Sequence, residues 1–227
     1  MPKLKLMKKE EISRNVYSFI FQNTENLKWK AGQYLQIILP HQDPDDRGTK
    51  RFFTISSAPY EKVVMITTRI EVENSSTFKK AFININVGDF LECSEPKGKF
   101  IVEDLSKKII FIAGGIGITP MRSILLELVY EKKHFVADLL YANRDENIIF
   151  KDELEEIEHF NKHFRIYNFI APRIINEDEL DSIYKEYTDV IFYLSGPINM
   201  IKAIENILYK KGVIKEYIKT DYFPGYD

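Results

Sequence analysis

The pattern of hydrophobic residues changes near residue 104, and this change restricts the chain to folds with two different halves. Before that point, short runs alternate apolar with polar residues and are rich in Val, Ile, Thr, Phe and Tyr, which is typical of strands. These runs lie at 16–21, 33–39, 51–55, 63–70 and 89–93. One short helix is expected over 77–83, capped by Ser75 or Ser76. Many short strands with little helix predict an N-terminal antiparallel β-barrel or sandwich.

Beyond residue 104, strand patterns alternate with helix patterns. A continuous apolar run predicts a buried strand at 108–113, and further strands are expected at 134–141, 164–170, 190–194 and 216–222. Apolar residues at helical spacing predict helices at 120–131, 149–158, 177–187 and 198–210. This alternation is typical of a doubly wound parallel sheet. We therefore predict two domains, 1–103 and 104–227.

Composition excludes several classes of partner and site. The 227 residues include 32 Lys plus Arg and 34 Asp plus Glu, a net charge of −2 that offers no general attraction for nucleic acid. A single cysteine excludes an internal disulfide framework, a Cys-based zinc site and a four-cysteine cluster, and we predict no metal site. The N-terminus lacks the apolar core of a signal peptide, and no run approaches the roughly 18–20 apolar residues of a membrane span. We expect a cytoplasmic protein.

The segment 109–120 is the sharpest local motif. A buried strand runs into the glycine turn 114–117 and then into a helix, with Thr119 expected as N-cap and Pro120 as the first helical residue. Glycines let backbone N–H groups approach a ligand, and a helix N-terminus favours negative charge, so the turn suits a nucleotide pyrophosphate. Pro120 stands where the third glycine of G-x-G-x-x-G would be, and a purely structural turn remains the alternative.

Two further segments carry suitable chemistry. The run 51–59 combines an arginine, two aromatic rings and three hydroxyls, which suits a phosphate, a flat ring and a ring nitrogen. An amphipathic strand with core phenylalanines is the alternative. The turn 193–197 ends a buried strand, and ligands of parallel sheets lie at the carboxyl ends of strands. A plain strand-to-helix connection is the alternative there.

Together these segments resemble the ferredoxin–NADP reductase-like family of flavin oxidoreductases, over nearly the whole chain. The matching segments, in the family's order, are Gly32-Gln33-Tyr34, Arg51-Phe52-Phe53-Thr54, Ser75-Ser76-Thr77-Phe78-Lys79 with Val87-Gly88-Asp89, Gly114-Gly115-Ile116-Gly117-Ile118-Thr119-Pro120, Tyr141-Ala142-Asn143-Arg144, Ser195-Gly196-Pro197 with Met200, and Asp221-Tyr222-Phe223 with Tyr226. The resemblance implies an N-terminal flavin-binding β-barrel followed by a nucleotide-binding α/β domain, with FAD and NADPH or NADH as cofactors.

On the FAD side, the resemblance implies that Arg51 pairs with the pyrophosphate, as suits its forked and permanent charge. It also implies that Phe53 packs on the isoalloxazine ring and that Thr54 hydrogen-bonds near flavin N5. Ser76 and Thr77 would hold a phosphate oxygen. The implied FAD set is Arg51, Phe52, Phe53, Thr54, Thr68, Arg69, Ser76, Thr77 and Phe223.

On the NAD(P) side, the resemblance implies that the glycine turn cradles the pyrophosphate and that Ser195–Gly196–Pro197 positions the nicotinamide. The implied set is Gly114, Gly115, Gly117, Thr119, Pro120, Asn143, Arg144, Ser195, Gly196, Pro197 and Met200. Arg144 suits a 2′-phosphate, whereas the neighbouring Asp145 and Glu146 favour an unphosphorylated ribose, and the preference for NADPH is slight. The implied catalytic residues are Thr54, Ser195, which replaces the usual Cys, and Asp221, which replaces the usual Glu.

The implied reaction is hydride transfer from nicotinamide to FAD, with single electrons passed to an external acceptor such as ferredoxin, flavodoxin, another redox protein or a small molecule. The lysine pairs 107–108, 132–133 and 210–211 offer a hypothetical docking surface for an acidic carrier. An NAD(P)H:flavin reductase with free flavin as substrate is an alternative, because Phe53 lacks the hydroxyl of the usual Tyr. A second alternative is a non-catalytic electron-transfer subunit of a complex.

Overall fold

The computed structural model describes residues 1–71 and 73–222, apart from the side chain of Tyr222. The chain divides into two compact units, Met1–Ile101 and Val102–Asp227. Each unit has its own sheet.

The first unit is a six-stranded antiparallel sheet that closes on itself. Its strands are β1 (Lys3–Ser13), β2 (Val16–Asn23), β3 (Tyr34–Ile38), β4 (Lys50–Thr54), β5 (Val63–Arg69) and β6 (Phe90–Cys93), in the order β4-β3-β6-β1-β2-β5. The edge strands β4 and β5 contact each other, and just after β4 the Ser56 amide donates to the Met65 carbonyl at 2.8 Å. This closure confirms the predicted N-terminal antiparallel β-barrel.

A phenylalanine cluster forms much of the interior of this barrel. The helix α1 (Thr77–Ile83) buries Phe78 and Phe82 completely, and the Phe82 ring centroid lies 4.1 Å from that of Phe19. The Ser76 hydroxyl caps the helix by accepting from the Lys79 amide at 3.3 Å, as predicted for this segment. Phe53 of β4 packs against both rings, so α1 lies against β4.

The long strand β1 is an element that the sequence patterns did not predict. It pairs with both β2 and β6, and only Leu4 and Leu6 within it are fully buried. Its remaining positions are mainly Lys and Glu, so the alternation of apolar residues is too short to indicate a strand.

The second unit is a five-stranded parallel sheet with helices between the strands. Its elements are β7 (Lys108–Gly114), α2 (Thr119–Tyr130), β8 (Ala137–Asn143), α3 (Lys151–Phe160), β9 (Phe164–Ile170), α4 (Glu177–Ile183), β10 (Val190–Gly196), α5 (Ile198–Lys210) and β11 (Ile218–Tyr222), and the strand order is β11-β10-β7-β8-β9. The central strands β7 and β10 are buried along their length, so helices must cover both faces. The predicted doubly wound sheet is confirmed.

One helix start differs from the prediction. The glycine turn winds into a short 3-10 helix, Gly115–Ile118, and α2 follows without a break, with Ile118 rather than Thr119 as its N-cap. The Thr119 hydroxyl instead donates to the Ile116 carbonyl at 3.1 Å. The N-cap assignment of Thr119 is therefore wrong, because the loop is already helical before that residue.

Across the described ranges, 1–71 and 73–222, no helix is both long and apolar enough to cross a membrane. The same residues contain no group of three or more His, Cys, Asp or Glu side chains placed to hold a metal ion.

Candidate functional site

The strand order of the second unit gathers the predicted nucleotide residues at one edge of the sheet. After β9 the chain crosses back to place β10 beside β7, so the carboxyl ends of these neighbours form the point where the strand order reverses. Ligands of doubly wound sheets bind at this crevice. Ser195 pairs in register with Ala113 on one side and with Asp221 on the other. The structure therefore brings Ser195, Asp221 and the glycine turn together.

Two glycines of the turn are required by packing. A Cβ atom at Gly117 would lie 2.1 Å from the Ser195 carbonyl oxygen. At Gly114 it would lie 2.8 Å from the Met200 sulfur and 2.9 Å from Pro197 Cδ. These glycines allow the turn after β7 to press against the turn after β10, which accounts for both positions without a ligand.

Gly115 differs from these two glycines. Its φ of +50° is unfavourable for other residues, and a Cβ atom there would meet no other described residue within 4 Å. Its carbonyl accepts a hydrogen bond of 3.0 Å from the hydroxyl of Tyr141 on β8. The backbone at Gly115 is thus held from one side and open on the other, which is the arrangement that a nucleotide-binding turn needs.

Buried polar atoms at this edge lack partners. Within the described part of the chain, Ser195 Oγ and Asn143 Nδ2 are buried and have no hydrogen-bond partner. A buried polar group without a partner costs about 1–3 kcal/mol, so such atoms mark a place where a ligand can supply one. The amide, ribose and phosphate groups of NAD(P)H offer suitable partners. The next residue, Arg144, is exposed.

An ion pair that the sequence analysis missed fixes the loop after Asn143. The buried Arg122 of α2 donates from Nε and Nη2 to the two carboxylate oxygens of Glu153, each at 2.7 Å. Its guanidinium also lies 5.0 Å from the centroid of Phe150, a non-glycine residue with φ of +61°. This bidentate contact ties α2 to the start of α3. The signal available in the sequence was an arginine one helical turn after Thr119 on a mainly apolar helix.

In the first unit, Arg51 is held by the polar loop that precedes it. Its Nη1 donates to the carbonyls of Arg47, Gly48 and Lys50 at 2.8–2.9 Å, and its Nη2 donates to the Asp45 carboxylate at 2.5 Å. Among residues 1–71 and 73–222, the buried Nε of Arg51 has no partner. Nε and Nη2 form one edge of the guanidinium, and such an edge can donate side-on to two oxygens of a phosphate.

The hydroxyls assigned to a phosphate also contact this loop. The Thr77 hydroxyl accepts from the Asp45 amide at 3.0 Å and lies 3.1 Å from His41 Nε2. Ser76 uses its hydroxyl as the helix cap. Partial burial favours a higher pKa for Asp45, but its hydrogen bond to Arg51 lowers that pKa overall. The carboxylate is therefore ionised where it meets the guanidinium.

Arginines outnumber carboxylates among the charges that act on Lys79. Burial, followed by the charges of Arg47 and Arg69, lowers the pKa of Lys79 to about 7. The Lys79 ammonium donates to the Arg69 carbonyl at 2.8 Å. An anion bound nearby would favour the charged form of Lys79, against the effect of burial and of the arginines. The residues present therefore fit the pyrophosphate of FAD.

The two phenylalanines of β4 have different surroundings. Phe53 is 8% exposed and packs against Phe78 and Phe82, whereas Phe52 is 63% exposed and meets Tyr34 edge-to-face at 5.5 Å. The exposed aromatic surface on this strand thus belongs to Phe52. The hydroxyl residues Thr54 and Thr68 are buried, Arg69 is half-buried, and Phe223 and Tyr226 lie outside the described residues.

Comparison with known proteins decides the family. A family profile described as an oxidoreductase FAD-binding domain matches residues 3–101, and one described as an oxidoreductase NAD-binding domain matches residues 111–206. The chain belongs to the ferredoxin–NADP reductase-like family. Members of this family are FAD-dependent NAD(P)H oxidoreductases, and the chain carries both of the cofactor domains that define it.

Relatives that carry different names are similar to most of this chain. A flavohemoprotein of Candida albicans is 32% identical over 220 residues, which cover 88% of this chain and 52% of the relative. NADH-cytochrome b5 reductase 1 of Emericella nidulans is 25% identical over 235 residues, covering 92% of this chain and 74% of that protein. The chain therefore spans about half the length of the flavohemoprotein that it matches.

One solved structure has the same fold as this chain over nearly the full length of both. The flavohem-like FAD/NAD binding domain of nitric oxide dioxygenase from Vibrio cholerae O1 biovar El Tor superposes with a TM-score of 0.79 at 22% identity, covering 98% of each chain. The family's two-domain architecture is thus present in this chain as an antiparallel barrel and a parallel sheet.

Four of the six lysines in the pairs that the sequence analysis proposed for docking lie beside carboxylates. The ion pairs are Lys107–Asp189, Lys108–Asp138, Lys133–Glu131, and Lys211 with both Glu177 and Asp181. These carboxylates balance much of the lysine charge, so the pairs give little support to an acidic docking partner.

Proposed function

We propose that this chain oxidises NAD(P)H through FAD and passes single electrons to an external acceptor, with ferredoxin and flavodoxin as the first candidates. The observation that carries the proposal is that two buried polar atoms, Ser195 Oγ and Asn143 Nδ2, have no partner within the described residues near the carboxyl ends of β10 and β8. When bound, NAD(P)H supplies a hydride and FAD accepts it and releases electrons singly.

In the second unit, the role of the chain in this reaction is to bind NAD(P)H and to orient it. The open backbone of Gly115 and the first N–H groups of the helical segment that begins there would hold the pyrophosphate. Asn143 would contact the ribose, and the buried Ser195 hydroxyl would contact the nicotinamide end. Asp221, in register with Ser195, would place a carboxylate beside it.

On the flavin side, the chain supplies cations and a flat apolar surface. Arg51 Nε and the Lys79 ammonium would neutralise the pyrophosphate charge. The exposed Phe52 ring and Thr54, on one face of β4, would line the isoalloxazine end, and Phe53 on the other face would support the strand from the core. Thr68 and Arg69 end the neighbouring edge strand β5.

The visible spectrum of the purified chain tests the proposal. We expect flavin absorption bands that bleach when NADPH or NADH is added without oxygen, and the faster nucleotide identifies the preferred donor. Subsequent mixing with ferredoxin, flavodoxin or cytochrome b5 would identify the acceptor by its own absorption change. A chain that leaves bound and added flavin oxidised contradicts the proposal and favours a non-catalytic electron-transfer subunit.

A second candidate, an NAD(P)H:flavin reductase, is supported by one specific contact. The Asp45 carboxylate already occupies Arg51, so an internal anion competes with the FAD pyrophosphate and favours release of the flavin. Gel filtration separates the two candidates. A colourless chain that reduces added FAD would favour the reductase, whereas a yellow chain after filtration would favour the resident flavin.

A further inference from the structure

The hydrogen bond from Tyr141 to Gly115 connects the interior of the sheet to the nucleotide-binding turn. Tyr141 is fully buried on β8, and it pairs in register with Ala113, two residues before Gly115. Its hydroxyl donates to the Gly115 carbonyl at 3.0 Å. Because the ring is enclosed, the hydroxyl has a fixed position from which it can hold this carbonyl.

The orientation of the Gly115 carbonyl determines which backbone group of the turn faces its open side. A peptide group is planar and trans, so its carbonyl oxygen and the following N–H point in opposite directions. With the Gly115 oxygen bound to Tyr141, the Ile116 N–H of the same peptide points away from the Tyr141 hydroxyl. Glycine adopts either peptide orientation easily, so the orientation depends on what holds the Gly115 carbonyl, namely the Tyr141 hydroxyl and the helical turn Gly115–Ile118.

We propose that Tyr141 is a positioning residue for the dinucleotide: its hydroxyl keeps the Gly115 carbonyl turned inward, so that an N–H rather than a carbonyl faces the pyrophosphate. A carbonyl oxygen in that place would repel the anion, whereas an N–H donates to it. The inference rests on the proposed function, because it assumes that the turn binds NAD(P)H.

The test compares two variants that lose the same group. Tyr141→Phe removes the hydroxyl and keeps the ring, and Tyr184→Phe is its control, because the Tyr184 hydroxyl donates to Asp138 at 2.9 Å elsewhere in the same unit. Titration calorimetry with ADP-ribose is expected to show binding weakened roughly three- to tenfold in Y141F and unchanged in Y184F. The affinity for FAD should be the same in both variants and in the wild type.

A second variant restores the donor. Tyr141→4-aminophenylalanine keeps an N–H donor at the end of the ring, and it is expected to recover most of the lost ADP-ribose affinity. This variant also serves if Y141F unfolds. A double-mutant cycle with Gly115→Ala adds a further check, because losses that act through one peptide do not add.

The outcomes separate this inference from the proposed function. Equal ADP-ribose affinity in the wild type and in folded Y141F, or no recovery with the restored donor, overturns the role of Tyr141 alone. A wild-type chain that binds no ADP-ribose overturns the proposed function and this inference with it.

Discussion

The carboxylate of Asp45 lies 2.5 Å from the guanidinium of Arg51, the residue to which the family pattern assigns the FAD pyrophosphate. The Asp45 amide also donates to Thr77, so one residue of the β3–β4 loop contacts two positions of the implied phosphate site. The chain thereby holds an anion of its own beside the arginine that we propose for the pyrophosphate. Flavin affinity should depend on the competition between the two.

Asp45→Asn is expected to tighten FAD binding about threefold to tenfold, because it removes the competing charge while preserving the shape of the side chain. Quenching of flavin fluorescence during titration of the flavin-free chain measures the change. Asp46→Asn is the matched control, since Asp46 is an exposed neighbour with the same charge. Weaker FAD binding in D45N would show that Asp45 positions Arg51 for the cofactor instead of competing with it.

Ser195→Ala is expected to stabilise the chain and impair its reaction. The Ser195 hydroxyl is buried and finds no partner in residues 1–71 or 73–222, so its removal should raise the free energy of unfolding by about 1 kcal/mol without nucleotide. Reduction of bound FAD by NAD(P)H should become slower in rapid-mixing experiments. The control is Ser182→Ala, whose exposed hydroxyl donates to the Glu179 carbonyl. A destabilised S195A would mean that this hydroxyl has a structural role.

The stability of the first unit should rise with pH because of Lys79. Burial first, then Arg47 and Arg69, lower its pKa from 10.5 to about 7 in the folded chain. Between these pH values the unfolded chain keeps a proton that the folded chain has released, so the free energy of unfolding increases as pH rises through the window. Below about pH 7 both states carry the proton and this contribution is constant.

Urea unfolding at several pH values between about 6.5 and 9.5 measures this slope. Lys79→Met should remove it, whereas Lys80→Met should retain it, because Lys80 lies on the same helix but is exposed. Parallel pH profiles for the wild type and K79M would contradict the assignment.

Gly117→Ala should disrupt the junction between the turns after β7 and β10. The added methyl group would overlap the Ser195 carbonyl at 2.1 Å, and we expect the free energy of unfolding to fall by about 3 kcal/mol. Gly115→Ala is the paired comparison, because that methyl group faces open space and costs only about 1 kcal/mol of backbone strain. Thermal unfolding followed by circular dichroism compares them. Equal losses would show that the close approach at Gly117 relaxes easily.

Much of the fold follows from hydrophobic periodicity in the sequence. The strand Phe164–Ile170 and the helices Thr77–Ile83 and Ile198–Lys210 have the bounds that their patterns predict. Strand β1 was not predicted, because its backbone pairs with neighbouring strands while most of its side chains are polar and lie outside the core. The periodicity of apolar residues indicates which side chains are buried. A strand that is held mainly by backbone hydrogen bonds therefore shows little apolar alternation in its sequence.

The site was predictable only where the sequence itself carries the geometry. Glycines near a strand end indicate a close approach, but they do not distinguish Gly117, which touches a neighbouring turn, from Gly115, which is open. The contacts of Asp45 with Arg51 and of Tyr141 with Gly115 depend on how a loop folds and on which strands become neighbours. No local pattern encodes such pairings.

The return of β10 to the side of β7 also has a consequence for biosynthesis. The glycine turn is complete at residue 119, but the opposing turn at 195–197 is translated about 75 residues later. Domains usually fold in the order in which they leave the ribosome, and distant parallel pairings form late. A nascent chain should therefore acquire its flavin-binding barrel before it can accept a nicotinamide nucleotide, and it should gain reducing power only after the turn at 195–197 has been translated.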